Sequence, residues 1–554
     1  MSEKNTFFIT TPIYYTNGIP HIGHAYSSLI ADSIARYNRI SWKKVKFSTG
    51  VDENSQKALL KAQEQGMEIK EYLDMMAEKH KAVWDWLKIE YTDFIRTTDP
   101  IHHKLVREVL QKSWEAGDIY EWEYEGMYCV GCEAFKKDED LVYLNKTTKE
   151  TFPITDKVKP SENIIKVCPD HLKTPEKIKE KNYFFKLSKY QKFLQDFYEQ
   201  NPEFIQPADR FNEVKAFVKR GLEDFSISRE TNKFWVKLPF DESQVTYVWF
   251  DALYNYVTVT TSEWQKKHTP SPSGEGWGED FWPADLHVVW KDIIRFHGIY
   301  WPAMLKSAGY ELPKNILTTG FFTVDWQKIS KSLGNVIDPV EFSEKYSKDL
   351  LTLYLLSSFN IGQDWDFDQK QAILTYNAKL ANNLWNLLNR VVVLSLKLQE
   401  KPWILDWEIL TDNTEIVDLE KINNWLSRKV VLEEFKDKIN EYDLKQAIEI
   451  NFFTLDKLND FITKKEPWQT VKNLEKQEET KKVLYIVAEW LRQVWLNLYT
   501  FFPEKMAEMF EKLGLKNYKE RLENGELEEL RKEKVVFEIK EKWKNLFERV
   551  DLES

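Results

Sequence analysis

A short apolar run that leads through a turn into a helical pattern constrains the fold of this chain most strongly. Residues 7–9 (Phe-Phe-Ile) are typical of a β-strand, residues 10–20 are rich in Thr, Pro, Asn and Gly, and residues 25–39 have a helical pattern. Strand, turn and helix in this order form the first crossover of a parallel α/β sheet that binds nucleotides. We therefore predict an α/β fold with a Rossmann-type parallel-sheet domain.

The turn ends in two histidines, His21 and His24, with Gly23 between them. Three residues apart, the rings share one face of the helix N-terminus, where backbone N–H groups and the helix dipole favour phosphate. Both rings can donate hydrogen bonds to phosphate oxygens, and Gly23 would let an adenine or ribose lie close to the backbone. The alternative is that this segment only caps an ordinary helix.

A basic motif follows much later in the chain, at residues 328–332 (Lys-Ile-Ser-Lys-Ser), after the apolar segment 316–324. Two ammonium groups on a mobile loop suit a triphosphate whose negative charge shifts during a reaction. By itself such a run is usually a solvated loop. Paired in this order with His21 and His24, it resembles the second of the two signature motifs of class I aminoacyl-tRNA synthetases.

Composition excludes several classes of protein. The 554 residues are enough for several domains, and the net charge of −11 gives no overall basic field for a general DNA binder, although local basic patches are compatible with it. The sequence shows no signal peptide and no apolar run of membrane-spanning length, so we expect a cytoplasmic protein that does not bind membranes. The three cysteines exclude a disulfide scaffold.

All three cysteines belong to one pattern, in which Cys129-Val-Gly-Cys132 is answered by Cys168-Pro-Asp-His171. Two such knuckles supply the four ligands that tetrahedral Zn²⁺ prefers, and four protein ligands leave no open position. We therefore predict one structural zinc ion per chain. The alternative is that the thiols are buried or unrelated. The polar, Lys-rich residues between the knuckles predict an exposed hairpin or loop.

Two further segments are candidates for ligand binding. Asp52 ends a second apolar strand, where a carboxylate can hold a ligand amine or ribose, or can instead cap the helix that follows from Glu53. The aromatic run 247–256 and residues 291–297 follow strand ends. Aromatic residues at this spacing are usually core, but their place at the carboxyl ends of parallel strands favours a pocket.

The character of the chain changes at residue 371, after which helical periodicity dominates and predicts an α-helical bundle. Asn386 and Arg390, four residues apart, share one face of a helix. Trp468 follows Pro467 at a helix start. For each of the three, the alternative is an ordinary surface or core position.

The order of these motifs resembles the methionyl-tRNA synthetase family along nearly the whole chain. The resemblance implies six regions: a Rossmann catalytic domain in two halves (1–115 and 231–305), a connective insertion with zinc knuckles (116–230), a stem-contact region with the basic loop (306–370), a helical anticodon-binding domain (371–510) and a charged helical tail (511–554). The segment between the catalytic halves leaves no room for an added editing domain. We expect a monomer, because the extra C-terminal module that dimerises some relatives is absent.

The resemblance also implies the reaction, which is ATP-dependent attachment of L-methionine to initiator and elongator tRNA(Met) through methionyl-adenylate, with Mg²⁺ accompanying ATP. It implies that ATP is bound by His21, Gly23, His24, Lys328, Ser330 and Lys331, of which His21, His24, Lys328 and Lys331 are catalytic. It implies a methionine pocket of Ile13, Tyr15, Asp52, Trp249, Tyr256, Ile293 and His297, in which Asp52 holds the ammonium group. Asn386, Arg390 and Trp468 would read the anticodon by base-edge contacts and stacking.

Five tryptophans, at positions 42, 122, 290, 326 and 365, lie where this family usually has glycine. At the average glycine content of ~7 %, about 39 glycines are expected; the chain has 18 glycines and 22 tryptophans. One hypothesis is that the gene reads UGA as glycine and was translated with UGA as tryptophan. Trp249 and Trp468 match tryptophan positions of the family. Val51, Asn54 and Ser55 also depart from the commoner Thr and His-Gly.

Two other functions compete with this interpretation. A small-molecule ligase or nucleotidylyltransferase of the same superfamily would share His21 and His24 but would not need the bundle with Asn386 and Arg390. A catalytically silent tRNA-binding paralogue would keep the bundle; the intact His and Lys motifs argue against it, and the tryptophans at glycine positions argue weakly for it.

Overall fold

We describe the protein from a computed structural model. The structure describes residues 5–129, 134–136, 138–154, 160–169, 172–230, 235–268, 281–324, 326–329, 335–398, 403–406 and 428–552. Among the predicted site residues, Cys132, His171, Ser330 and Lys331 lie outside these ranges, and only the backbone of Lys328 is described.

Strands occur throughout the described chain but are few in its helical C-terminal third. They are β1 Thr6–Tyr15, β2 Lys44–Asp52, β3 Asp93–Arg96, β4 Ile119–Cys129, β5 Ala134–Lys136, β6 Val142–Asn145, β7 Thr151–Pro153, β8 Ile164–Val167, β9 Glu176–Phe185, β10 Ile205–Gln206, β11 Phe225–Ser226, β12 Ser228–Arg229, β13 Val245–Thr246, β14 Leu286–Trp290, β15 Asn315–Thr319, β16 Phe322–Val324, β17 Gln327–Lys328, β18 Trp365–Asp366, β19 Trp403–Asp406 and β20 Val536–Ile539.

Helices connect the strands and then form most of the C-terminal region. They are α1 Ile22–Ile40, α2 Gln56–Glu64, α3 Ile69–Leu87, α4 Pro100–Glu115, α5 Gln191–Gln200, α6 Ala208–Lys219, α7 Val248–Leu253, α8 Asn255–Thr258, α9 Ser262–His268, α10 Trp301–Ala308, α11 Pro339–Lys345, α12 Lys348–Ser357, α13 Gln369–Tyr376, α14 Trp385–Ser395, α15 Arg428–Asn440, α16 Leu444–Lys465, α17 Pro467–Thr470, α18 Gln477–Leu498, α19 Pro503–Lys512, α20 Tyr518–Glu523 and α21 Leu527–Lys532. Short 3₁₀ turns occur at Asp138–Asp140, Leu187–Tyr190, Lys291–Ile293 and Leu474–Lys476, and π-helical segments at Phe296–Tyr300 and Asn377–Leu384.

The core of the fold is a six-stranded sheet in the order β10-β15-β14-β1-β2-β3, with every neighbouring pair parallel. The strand order changes direction between β1 and β14. In an open parallel sheet, ligands bind outside the carboxyl ends of the strands at such a switch point. The predicted Rossmann-type fold is confirmed.

Strand β1 is longer than the sequence indicates, because it continues through Pro12 to Tyr15. Its register with β2 shifts between Thr10 and Ile13. Pro12 lies in this irregularity, where a residue without an N–H group breaks no ladder hydrogen bond. The extension carries Ile13 and Tyr15 to the ligand side of the sheet.

The predicted connective insertion contains an antiparallel sheet in the order β11-β9-β4-β5 and a smaller sheet in the order β7-β6-β8. The segment expected as a hairpin or loop therefore includes several short strands. The range 116–230 also includes Ile205–Gln206, which pairs in parallel with β15 at the edge of the central sheet. Two residues are too few to carry a strand pattern in the sequence.

The C-terminal helices pack directly against α1, since Arg36 Nη1 donates to the carbonyl of Thr500 at 2.9 Å. The expectation of a helical tail is wrong for its second half. After α21, strand β20 pairs antiparallel with β19, and its inward residues Phe537 and Ile539 are buried. Their alternation with Glu538 follows the period of a strand. Among the described residues, no helix is both long enough and apolar enough to cross a membrane.

Candidate functional site

A cleft of about 1970 Å³ lies along the carboxyl ends of β1, β2 and β14. It is lined by nine of the residues predicted from the sequence to bind ATP or methionine: Ile13, Tyr15, His21, His24, Asp52, Trp249, Tyr256, Ile293 and His297. These residues come from four separate stretches of the chain. The fold therefore brings the first signature motif and the whole predicted methionine pocket into one cavity.

The side chains of His21 and His24 cap the N-terminus of α1 by accepting hydrogen bonds from backbone N–H groups. His21 Nδ1 accepts from the N–H of Gly23 at 3.0 Å, and His24 Nδ1 accepts from the N–H of His21 at 3.1 Å. The ring centroids are 4.0 Å apart. Because Nδ1 accepts in both rings, each neutral ring carries its proton on Nε2, the form in which Nε2 donates.

The observed position of the His21 ring requires glycine at position 23, whether or not a ligand is bound. A Cβ at this position would lie 2.9 Å from His21 Cε1 and 3.2 Å from His21 Nδ1. Any larger residue would push the imidazole away from the helix start. The glycine therefore fixes the position of His21, which adds to the role expected from the sequence.

The basic motif and the segment that follows it reach the same cleft. Ile329 belongs to the motif and Val336 follows it, and both line the cavity. The N–H of Ile22 donates to the carbonyl of Ile337 at 3.1 Å, which ties the histidine motif to the chain just beyond residues 330–334. Ser330 and Lys331 lie outside the described residues, but the chain on either side of them borders the cleft that His21 and His24 line.

The inner end of the cleft contains a hydrogen-bonded pair, Tyr256 and His297. His297 Nδ1 lies 3.0 Å from the carbonyl of Ile293, so this nitrogen carries the proton. Tyr256 Oη lies 2.8 Å from His297 Nε2 and therefore donates to it. Burial raises the pKa of Tyr256, which keeps the phenol protonated.

A second buried histidine, His287 on β14, supports this pair from behind. Trp301 Nε1 donates to His287 Nε2 at 3.3 Å, so His287 Nδ1 carries the proton and donates to Thr10 Oγ1 at 2.8 Å. The ring of Tyr256 lies 4.4 Å from that of His287, centroid to centroid. Burial holds the pKa of His287 well below its ordinary value. His297 is thus a neutral part of the pocket wall, and His287 is a neutral residue buried behind it.

Stability should fall on mild acidification because of these histidines. Burial lowers the pKa of His297 from 6.5 to about 4, so between these values the unfolded chain binds more protons than the folded chain. The contribution is fully present above pH 6.5 and is lost as the pH decreases towards 4, by about 3 kcal/mol for this residue. Urea unfolding at pH 7 and pH 4.5 measures the loss. His297→Gln should show a shallower pH dependence, retaining the part due to His287; an unchanged slope would contradict the assignment.

Asp52 lies at the carboxyl end of β2, opposite Tyr15 of β1, and is buried. The alternative role as a helix cap is wrong, because α2 begins at Gln56 and its cap is Ser55, whose side chain accepts from the N–H of Ala58. Its neighbour Glu53 turns away from the cleft and pairs with Arg96 at 2.8 Å. Asp52 is therefore the carboxylate of this strand end that faces the cavity.

The outer wall of the pocket is aromatic. Trp249 stacks on Phe296 with a centroid distance of 3.9 Å and an angle of 8° between the rings. Lys57 Nζ lies over the ring of Tyr15 at 4.7 Å. Phe296 and Lys57 also line the cleft, and the sequence alone did not single them out. Phe296 could have been found, since it directly precedes His297.

A buried polar network behind the pocket was also missed. Asp251 accepts from Asn54 Nδ2 at 2.5 Å and lies 3.0 Å from His102 Nε2, while His102 Nδ1 lies 2.7 Å from Thr258 Oγ1. The network joins the end of β2 to α4, α7 and α8. Asn54 is one of the positions that depart from the usual family residues, and it makes a specific contact here. No sequence spacing relates these four residues, so only the fold could show them together.

The three predicted anticodon residues are exposed on the helical region. Asn386 and Arg390 lie on the outer face of α14, and Arg390 Nη1 donates to Asn459 Oδ1 of α16 at 3.4 Å. Trp468 lies on α17, which follows α16 after Glu466, and its side chain is also exposed. The structure thus places an arginine, an amide and an indole on the surface of α14 and α17.

Two of the four predicted zinc ligands are described, and both are buried. Cys129 ends β4, and Cys168 follows β8. The chain reverses directly after Cys168, because its N–H donates to Lys173 at 3.0 Å and its carbonyl accepts from Leu172 at 2.8 Å. Within the described part of the chain no cluster of three metal-binding side chains is present, and Cys132 and His171 lie outside that part.

Comparison with known proteins identifies the family of this chain. Residues 7–392 match the family described as "tRNA synthetases class I (M)". The chain belongs to this family. Members of the class I synthetase family use ATP, which enters such reactions with Mg²⁺. The match covers both halves of the central sheet and the basic motif.

Relatives of known function are similar over most of the chain. Methionine--tRNA ligase of Arabidopsis chloroplasts and mitochondria is 37% identical over 516 residues, which is 93% of this chain and 78% of the relative. The methionine--tRNA ligase of Thermosynechococcus vestitus is 43% identical over 392 residues, covering 71% of this chain and 69% of the relative. These class I synthetases are similar far beyond the two short motifs.

Solved structures of this family extend the likeness to the helical region. Mycobacterium tuberculosis methionyl-tRNA synthetase in complex with methionyl-adenylate superposes with a TM-score of 0.85 at 30% identity, covering 98% of this chain and 100% of that one. The apo form of that synthetase gives a TM-score of 0.77 at 28% identity and covers 99% of both chains. The class I synthetase fold and the C-terminal helices therefore occur together in a protein of the same architecture.

Proposed function

We propose that this protein attaches L-methionine to tRNA(Met), initiator and elongator, in an ATP-dependent reaction that passes through methionyl-adenylate. The observation that carries the proposal is the single cleft that joins His21 and His24 to the aromatic pocket around Tyr256 and to the flanks of the basic motif. The family membership and the methionine--tRNA ligases among its relatives support the same reaction. We propose that the protein acts as a monomer.

The chemistry needs no enzyme nucleophile. The methionine carboxylate attacks the α-phosphorus of ATP, the bond to the β-phosphate oxygen breaks, and methionyl-adenylate and pyrophosphate form. In the second step the terminal adenosine hydroxyl of tRNA attacks the acyl carbon and AMP leaves. Rate comes from holding the reactants in line and from placing donors and cations where negative charge develops.

His21 and His24 are proposed to donate from Nε2 to phosphate oxygens. Their Nδ1 atoms already accept backbone N–H groups, so the capping geometry fixes both the ring orientation and the tautomer. Lys328 and Lys331, with Ser330, are proposed to hold the β- and γ-phosphates and the leaving pyrophosphate. Mg²⁺ bound to ATP supplies further positive charge.

The pocket is proposed to select methionine by shape and by one charge. Asp52 pairs with the substrate ammonium, and the methionine side chain enters between Ile13, Ile293 and the aromatic wall of the pocket. Because the Tyr256 hydroxyl already donates its hydrogen bond to His297, it is not available as a donor to the thioether. The sulfur would instead contact the ring of Tyr256. Sulfur contacts with aromatic rings suit a flexible thioether, which is only a weak hydrogen-bond acceptor.

The exposed residues of α14 and α17 are proposed to read the anticodon CAU. Replacing Trp468 or Arg390 by Ala should lower kcat/KM for tRNA charging by roughly 10- to 100-fold, because stacking on one base contributes about 1–3 kcal/mol. Methionine-dependent ATP–pyrophosphate exchange without tRNA should not change. Arg549→Ala and Trp86→Ala, which also remove exposed side chains, serve as controls and should leave charging unchanged. An equal loss in exchange and charging would contradict the assignment.

A structural zinc ion is proposed to be held by Cys129, Cys132, Cys168 and His171. The two described thiols fit, since both are buried, Cys129 where β5 pairs back antiparallel on β4 and Cys168 where its N–H and carbonyl bond to Lys173 and Leu172. The ion would tie the small sheets of the insertion together without taking part in the reaction. Metal analysis of the purified protein should give one zinc per chain, and Cys168→Ser should abolish it. His268→Ala, which lies outside the knuckles, should leave zinc binding unchanged. Purified protein without bound zinc would refute the site.

One pair of assays tests the proposed function. Methionine should support ATP–pyrophosphate exchange in the absence of tRNA, and the protein should then charge a tRNA with a CAU anticodon. Exchange with another carboxylic acid, but not methionine, would favour the small-molecule ligase. Binding of tRNA without exchange would favour the silent paralogue.

A further inference from the structure

The five tryptophans at positions 42, 122, 290, 326 and 365 differ from the other tryptophans in their surroundings. Trp326, Trp42 and Trp122 are 78%, 66% and 59% exposed, the highest values of any described tryptophan in the chain. By contrast Trp84, Trp264, Trp301 and Trp495 are fully buried. An indole contributes to stability by burial, so three of the five side chains contribute little where they are.

The backbone at Trp42 has a conformation that favours glycine. Helix α1 ends in a Schellman motif, in which the N–H of Trp42 donates to the carbonyl of Arg39 and the N–H of Lys43 to that of Asn38. Trp42 occupies the C′ position of this motif with φ 75°. Glycine is the usual residue there because it has no Cβ to oppose a left-handed backbone. Gly525 also packs on this loop so closely that a Cβ on it would lie 2.8 Å from the Cα of Trp42.

The backbone at Trp326 leads to the same conclusion from a different motif. Val324 pairs with Gln327, so only two positions separate the strands of the hairpin β16–β17, and Trp326 is the second of them. Trp326 has φ 58°. Two-residue hairpins strongly prefer Asp-Gly or Asn-Gly, with glycine second, because the second position has a positive φ. The sequence Asp-Trp therefore stands where Asp-Gly is expected, with Gln327 between it and Lys328.

A positive φ does not by itself indicate glycine, since six other non-glycine residues of the described chain have one, among them Lys88 and Asn517. Glycine is indicated by the agreement between two observations, the backbone conformation and the family pattern. Trp42 and Trp326 are the two described tryptophans with a positive φ, and both belong to the five positions that the family resemblance had already singled out. Trp365, also exposed, begins the strand that pairs with β16 of the same hairpin.

Trp290 has an ordinary φ of −82° but lies in the cleft. Its indole meets the ring of His24 edge-on, with a centroid distance of 4.9 Å, and lies 5.7 Å from the ring of Tyr14. It therefore fills the space in front of the histidine proposed to bind phosphate. Without a side chain at position 290, the end of β14 would open this space to a nucleotide.

We propose that the functional protein carries glycine at positions 42, 122, 290, 326 and 365, because its gene reads UGA as glycine, and that the glycine at 290 opens the nucleotide subsite beside His24. The second part rests on the proposed function. The first part does not, since it follows from the backbone at positions 42 and 326, the exposure of the indoles and the shortage of glycine.

The codons and the native protein test the first part directly. The five positions should be encoded by UGA, and Trp84, Trp249 and Trp468 by UGG. Peptide mass spectrometry of the protein isolated from its source should show glycine at the five positions and tryptophan at the other three. UGG codons at the five positions, or tryptophan in their peptides, would overturn the proposal.

Variants of the full chain test the structural reasons. Trp42→Gly and Trp326→Gly should each raise the Tm by about 1–3 °C, since each relieves a left-handed tryptophan. Trp86→Gly is the matched control, because Trp86 is also exposed but lies within α3, where glycine weakens a helix; its Tm should fall. A fall in Tm for Trp42→Gly and Trp326→Gly as well would overturn the backbone argument.

The nucleotide subsite is tested by Trp290→Gly. ATP binding, measured by calorimetry, should strengthen by 100-fold or more, and methionine-dependent exchange should rise in parallel. Unchanged ATP affinity would overturn the role of position 290. If the five-glycine chain gains stability and binds ATP but does not activate methionine, the glycine assignment is supported and the proposed function is what fails.

Discussion

Replacing His24 by Asn is expected to lower the rate of methionine activation by about 100- to 1000-fold with little change in Tm. An Asn amide oxygen can take over the acceptor role of His24 Nδ1 towards the N–H of His21, so the helix cap survives. The donor at Nε2 is lost, and one donor to developing charge is typically worth about 10²–10³ in rate. Single-turnover formation of methionyl-adenylate in the Trp290→Gly background measures the effect.

His24→Gln is the matched variant, since its amide nitrogen reaches towards the position of Nε2 while the acceptor near the backbone is lost. It should retain more of the rate than His24→Asn and should have a lower Tm. The opposite ranking in rate would show that His24 acts through the cap rather than through phosphate.

Replacing Asp52 by Asn is expected to raise the KM for methionine by about 100-fold or more while leaving the KM for ATP unchanged. The side chain is buried, and loss of one partner of a buried charge pair costs about 2–5 kcal/mol. A methionine analogue without the ammonium group should lose its disadvantage against methionine in this variant. Steady-state exchange with varied methionine and varied ATP separates the two constants.

Glu53→Gln is the control for the neighbouring carboxylate. Glu53 pairs with Arg96, and burial raises the pKa of its carboxyl group, so this variant should change the free energy of unfolding and not the KM for methionine. Equal effects of the two substitutions on KM would contradict the assignment of Asp52 to the substrate ammonium.

Much of the fold could be predicted because its signals are local. The apolar run at residues 7–9 predicts where β1 begins, although the strand continues through Pro12 to Tyr15. The helical period predicts α1 within a few residues, and the helical period after residue 371 predicts the bundle. The edge strand Ile205–Gln206 and the pairing of β20 with β19 could not be predicted. The first is too short to have a period, and the second depends on a partner more than 100 residues away in a tail rich in charged residues.

The candidate site could also be predicted only in part. His21 and Asp52 carry their own signals, because each lies at a strand end on the ligand side of the parallel sheet. The aromatic run also lines the cleft, but the strand before it, β13, pairs antiparallel with β12, so the expected place at the end of a parallel strand is wrong for this run. The contacts that hold these residues in place have no signal in the sequence. The contacts of Asp251 with Asn54 and His102, and the proton positions on His297, depend on distances that only the folded chain creates. The roles of the individual residues in binding and catalysis stay predictions.

A crystal structure with ATP and an unreactive methionine analogue tests the central claim most directly. We expect one ATP whose phosphates lie within hydrogen-bond distance of Nε2 of His21 and His24 and of Nζ of Lys328 and Lys331, with the methionine carboxylate facing the α-phosphorus. A triphosphate bound to only one of the two motifs, with the other turned to solvent, would contradict it.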